Sequence, residues 1–123
     1  MNTYFKNIID TDSEPLVICN LSHVIIYMNA AAYDYYHKKT GCNLMGKSLF
    51  DCHPQTARAI TQVVDWFGAS VNNNKIHTAY NKTQNKDFYL IALRDDDGKL
   101  IGYYEKHEVR TCDKSPFYNF YTL

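Results

Sequence analysis

Ala57, Ile60, Val63, Val64, Phe67 and Val71 recur at spacings of three and four residues and mark the strongest amphipathic helix in the chain. Pro54 is placed to open it, because proline at a first helical position gives up only an N–H that would have no partner there. The asparagines at 72–74 close it. A helix with one apolar stripe has to bury that stripe against another layer, and the runs on either side of it read as strands.

Before the helix, residues 16–19 (LVIC) and 24–28 (VIIYM) are short apolar runs separated by a polar turn, the pattern of an antiparallel hairpin. Residues 3–10 form one short helix with Tyr4, Phe5, Ile8 and Ile9 on one side, and 30–39 form another with Asn29 as its N-cap. Residues 40–46 hold two glycines and read as a loop, and 48–52 as a single helical turn. After the long helix, residues 76–80, 88–94 and 100–109 are strands. The last two flank DDDGK, and Asp-Gly between apolar runs is a strong hairpin signal. The order predicts an α+β fold: one five-stranded antiparallel sheet, its outer pairs consecutive in sequence, with the helices packed on one face.

At 123 residues the chain is expected to form one domain with one core and room for one internal cavity. It divides into an N-terminal helical cap at 1–12, a domain at 13–110 and a C-terminal tail at 111–123. Thirteen basic residues balance thirteen acidic ones, which argues against a nucleic-acid or membrane-surface partner, since both need a basic footprint. No run of about 18 apolar residues is present, and the acidic N-terminus lacks the features of a signal peptide, so a cytoplasmic protein is expected. Cys19, Cys42, Cys52 and Cys112 form no CxxC pair, which argues against a structural zinc site. Eleven tyrosines against six phenylalanines suit an interface or a polar-lined cavity better than a dry core, because each phenol needs a partner.

Three segments in this order, VIIYMNAAAYDYY, GKSLFD and ALRDDDGKLIGYYEKHEV, resemble the PAS family of sensory domains. In that family a hairpin ends in asparagine followed by small residues. A glycine then opens a short helix, and a charged turn precedes a last strand with an early glycine. GKSLFDCHP, residues 46–54, looks closest to a subgroup with a Cys-His-Pro element after that glycine. The resemblance implies a PAS-like sheet, a ligand cavity between sheet and helices and a sensory or signalling role. No enzyme is expected, because the only hint of a nucleophile and base, Cys52 beside His53, pairs neighbours that point away from each other. Flavin-binding light sensors of the family carry GxNCRFLQ. Here Leu49 stands three residues after Gly46 and Cys52 lies outside that spacing, so flavin is not implied. The last strand ends in Glu108-Val109-Arg110 where typical members have Asp-Ile-Thr, and no kinase or cyclase segment follows. Output is therefore expected through a separate signalling partner, with pairing of the domain into a homodimer. A ligand-free dimerisation module is the alternative.

His53 is the sharpest candidate for contact with a ligand. It either anchors a polar small molecule, serves as an axial haem or metal ligand, or bonds only to backbone at the helix start. Cys52 reads either as a thiol activated at a helix N-terminus or as a small buried hydrophobe. With these, Phe50, Val17, Cys19, Ile26, Met28, Ile60, Val64, Tyr89, Ile91 and Tyr103 are expected to line the space between sheet and helices. Strand alternation fixes which of them share a face but not which face is inward, so Tyr89 and Ile91 are interchangeable with Phe88 and Leu90 at this point.

Overall fold

The structure, a computed structural model, describes residues 1–41 and 43–122, so Cys42 lies outside the described residues. Helix α1 (Thr3–Asp10) precedes strands β1 (Leu16–Asn20) and β2 (Ile25–Met28). Helices α2 (Ala30–Thr40), α3 (Leu49–Cys52) and α4 (Ala57–Ala69) follow, then β3 (Lys75–Asn81), β4 (Lys86–Arg94) and β5 (Leu100–Val109). All pairings are antiparallel, in the order β2-β1-β5-β4-β3, so the two outer pairs are indeed consecutive in sequence. No helix among the described residues is long and apolar enough to cross a membrane.

One face of the sheet carries the core. Val17, Cys19, Ile25, Met28, Leu90 and Tyr103 meet Ala32 of α2, Leu49 of α3 and Phe67 of α4. Phe67 is fully buried, which contributes about 1.5–3 kcal/mol of transfer free energy. Ile60, Val63 and Val64 pack against the same cluster at half burial, so the stripe that ordered the sequence faces the sheet.

Two details of α4 differ from the sequence reading. Pro54 opens a 3₁₀ turn, Pro54–Thr56, closed by Thr56 N–H donating to the His53 carbonyl at 3.1 Å, and the α-helix starts at Ala57. The helix also ends at Ala69, leaving Val71 61% exposed. Arg94 accounts for the early stop. Its Nη2 donates to the carbonyls of Phe67, Ser70 and Asn73 at 2.7, 3.0 and 3.0 Å, and its Nε donates to Asn74 Oδ1 at 2.8 Å. The guanidinium thereby satisfies carbonyls that another helical turn would have used.

Asn29 caps α2 as expected, accepting from Ala32 N–H at 2.9 Å, and it does more than cap. The same Oδ1 accepts from Leu16 N–H at 3.0 Å, and Nδ2 donates to the carbonyls of Ile9 and Glu14, both at 3.0 Å. One fully buried side chain thus joins the end of α1, the entry to β1 and the start of α2.

Strand register decides which residues face the helices. Val17 pairs with Met28, Ile18 with Tyr27 and Cys19 with Ile25, so Ile26 is an extra residue bulged out of the β1–β2 ladder. It is 52% exposed rather than part of any lining, because the bulge breaks the alternation on which its inward placement rested. In β4 the inward set is Phe88, Leu90 and Ala92: Leu90 is core and Ala92 packs on it. Tyr89 and Ile91 therefore project from the opposite face, where Tyr89 packs on His77 with ring centroids 5.1 Å apart. For these two residues the choice left open by alternation falls to the outside.

Candidate functional site

Between α2, the turn after α3, α4 and the inner face of β3–β5 lies a cavity of about 380 Å³. Tyr35, Tyr36 and Lys39 form the α2 wall, Leu49, His53, Thr56, Ile60 and Val63 the opposite wall, and Thr78, Phe88, Leu90 and Glu105 the floor. Thr78 reaches the floor through a second bulge, since His77 pairs with Tyr89 and Ala79 with Phe88. The volume falls in the range of small-molecule sites, and the lining is mostly apolar and aromatic with a few polar groups, as such sites require.

The polar groups converge on Glu105. Its Oε1 accepts a short hydrogen bond from the Tyr36 hydroxyl and lies 2.6 Å from His107 Nε2. Burial, and then the Glu105 charge, push the Tyr36 phenol far above its ordinary range, so it stays a donor at neutral pH. His107 is 2% exposed, its ring stacked on Phe88 at 4.0 Å and met edge-on by Tyr35 at 5.4 Å. Contact with the carboxylate places a proton on Nε2. Nδ1 is buried and has no hydrogen-bond partner among the described residues, an arrangement that costs about 1–3 kcal/mol. Behind this wall Lys86, itself buried, pairs with Glu14 at 3.0 Å and lies 4.8 Å from the Tyr35 ring centroid. At the mouth Lys39 Nζ donates to the Tyr35 hydroxyl at 2.8 Å.

The residues expected to line one space are divided among several. His53 and Ile60 lie on the cavity wall. Val17 and Met28 border a slit of about 10 Å³ beside it, at the lower limit for holding one water. Cys19 and Tyr103 belong to the core rather than to the cavity wall, and Phe50 is linked to Tyr103 through His23. Phe50 stacks on His23 at 4.2 Å and His23 Nδ1 lies 2.9 Å from the Tyr103 hydroxyl. Burial lowers the His23 pKa and raises that of Tyr103. Val64 packs on the core. Cys52 borders a different recess with Leu44, Lys47 and Asp51, so the adjacent Cys52 and His53 serve different spaces. Among the described residues no group of three or more His, Cys, Asp or Glu side chains is arranged to hold a metal ion.

Sequence reasoning passed over Tyr35, Tyr36, Glu105 and His107 and left Phe88 as the alternative to Tyr89. The signal for two of them was present: with Tyr103 inward, period-two alternation puts Glu105 and His107 on the same face. Nothing in the pattern marked Tyr36, because the helix containing it has only a weak apolar stripe.

Burial pushes the Cys19 thiol up to about 12, whereas Cys112 is exposed. Iodoacetamide at neutral pH will accordingly modify Cys112 in the folded protein and leave Cys19 intact until the chain unfolds, as read by peptide mass spectrometry. Modification of both at one rate in the native state would contradict the burial described above.

Neither family models nor curated proteins yield a match to this sequence. Solved structures do. The C-terminal domain of a Streptococcus mutans protein superposes with a TM-score of 0.65 at 16% identity, covering 85% of this chain and 81% of that one. The PAS domain of BvgS from Bordetella pertussis gives 0.60 at 18% identity, over 88% and 85% of the two chains. A sensory box sensor histidine kinase from Vibrio cholerae gives 0.59 at 18% identity, over 86% and 88%.

Proposed function

We propose, from the PAS fold that this chain shares with those domains, that it is a sensory module which binds a small, partly apolar molecule between sheet and helices and signals through a partner protein. The observation that carries the reading is the 380 Å³ cavity with half-buried Tyr36 and Glu105 joined in its wall and the buried His107 behind them. A few polar side chains gathered in an otherwise apolar space are what fixes the orientation of a bound molecule. The Tyr36–Glu105 bond spans α2 and β5, so a ligand that competes for Glu105 would favour a different packing of α2 on the sheet. That difference is what a partner would read.

A catalytic role is not part of this reading. Cys52 and His53, the one sequence hint of a nucleophile and base, face different recesses. Homodimer formation belongs to it, supported by α1, where Tyr4, Phe5 and Ile8 are 80%, 63% and 68% exposed on a helix that buries none of its own residues.

Native mass spectrometry of freshly purified protein, with an absorbance spectrum and thermal shifts against a metabolite collection, tests the proposal. The expected results are a bound mass or a ligand-dependent rise in melting temperature, both abolished by Ile60→Trp, which fills the cavity. A bare mass with no melting response sinks it in favour of a ligand-free dimerisation module. A Soret band would replace it with a haem sensor, for which His53 on the cavity wall is the candidate axial ligand.

A further inference from the structure

The hydrogen-bonding capacity of the cavity is lopsided. The hydroxyl hydrogens of Tyr36, Thr56 and Thr78 are all committed to protein acceptors: to Glu105, to the His53 carbonyl at 3.0 Å and to the Phe88 carbonyl at 3.2 Å. Both bonds to Glu105 fall on Oε1, and among the described residues Oε2 has none. The floor therefore offers a bare carboxylate oxygen and hydroxyl lone pairs, and almost nothing to donate. The spare donors stand at the exposed mouth instead, where Lys39 gives one of its three N–H to the Tyr35 hydroxyl and the phenol keeps its own. His53 can give or accept.

We infer that the cavity selects a small planar ligand whose inner end is a nitrogen-bound hydrogen donor, an amidine, amine, amide or N–H heterocycle, and that Glu105 is the residue that imposes the choice. The inference rests on the ligand-binding reading above. Phe88 and the two tyrosines supply flat apolar faces for the ring, and Glu105 Oε2 accepts its N–H. A ligand with a carboxylate at that end would set two negative groups against each other, and one with only an acceptor there would cover Oε2 without pairing it.

Isothermal titration of the full chain with benzamidine, benzamide and benzoate separates these cases at constant ring size. Benzamidine and benzamide are expected to bind at least about tenfold more tightly than benzoate. Glu105→Gln, which adds an N–H and removes the charge, closes the gap between benzamidine and benzoate. If that variant does not fold, Tyr36→Phe serves instead: it releases a lone pair of Oε1, so benzamidine affinity holds or rises while benzoate stays weak. Benzoate binding as tightly as benzamidine, an unchanged preference in Glu105→Gln, or a lost preference in Tyr36→Phe overturns the inference, as does failure of all three probes to bind. Benzoate binding as tight as that of benzamidine, and abolished by Ile60→Trp, would remove this inference alone and leave the ligand-binding reading standing. A cavity that responds to no probe and no metabolite would remove both.

Discussion

Asn29→Ala is expected to lower stability by about 3–5 kcal/mol in urea unfolding, a large fraction of what a domain this size has. The alanine leaves the N–H groups of Leu16 and Ala32 and the carbonyls of Ile9 and Glu14 without their partner in a fully buried place. Each lost partner costs about 1–3 kcal/mol, reduced where local opening admits water. Asn29→Asp separates the two halves of the role. It keeps the acceptor for Leu16 and Ala32 but points an oxygen at the carbonyls of Ile9 and Glu14. Its loss should lie below that of alanine and grow with pH as the carboxyl ionises. Hydrogen exchange should also show α1 loosened in both variants. A loss under about 1 kcal/mol for the alanine variant would mean the site rehydrates, and the clamp would carry no weight.

Gly102→Ala should be comparably severe. A Cβ built on Gly102 would stand 2.4 Å from the carbonyl oxygen of Cys19, a backbone atom of the neighbouring strand. The collision cannot be relieved by a side-chain rotation. β1 and β5, paired here through Asn20 and Gly102, have to separate or twist apart. A loss of more than about 3 kcal/mol, or failure to fold, is expected from disruption of this kind. The control is Gly68→Ala, where a Cβ meets nothing within 4 Å and alanine is the better helix former, so a small gain is expected there. If Gly102→Ala unfolds at the wild-type urea midpoint, the close approach of the two strands is not as described.

These two positions are also the ones the sequence marked most plainly. Asn29 was legible as a helix N-cap, and Gly102 through the early glycine that the resemblance places in the last strand. One is a side chain with both donor and acceptor, the other a backbone without a Cβ. The strands and the consecutive outer pairs followed from the Asp-Gly turn and the spacing of apolar runs, while the central β1–β5 pairing came only with the fold. The cavity lining did not follow, and the reasons are local. A bulge is one added residue with no composition of its own, and the bulges at Ile26 and Thr78 each moved a side chain across the sheet. For β4, the alternation of FYLIAL is apolar on both faces, so hydrophobicity could not choose between Phe88 and Tyr89. At the polar wall the limit was of a different kind. Tyr36 and Glu105 are 69 residues apart, and only the fold brings a helix phenol to a strand carboxylate.

The Arg94 clasp gives α4 two unlike ends. The C-terminal end is nailed to the β4–β5 hairpin through Phe67, Ser70, Asn73 and Gly98. At the other end Thr56 makes no side-chain cap, and the helix continues only into a 3₁₀ turn. A roof fixed along one side opens like a jaw. If the cavity takes a ligand as proposed, room for a bulkier one is expected first at the loosely tied end, beside His53 and Thr56, and last at the end that Arg94 holds.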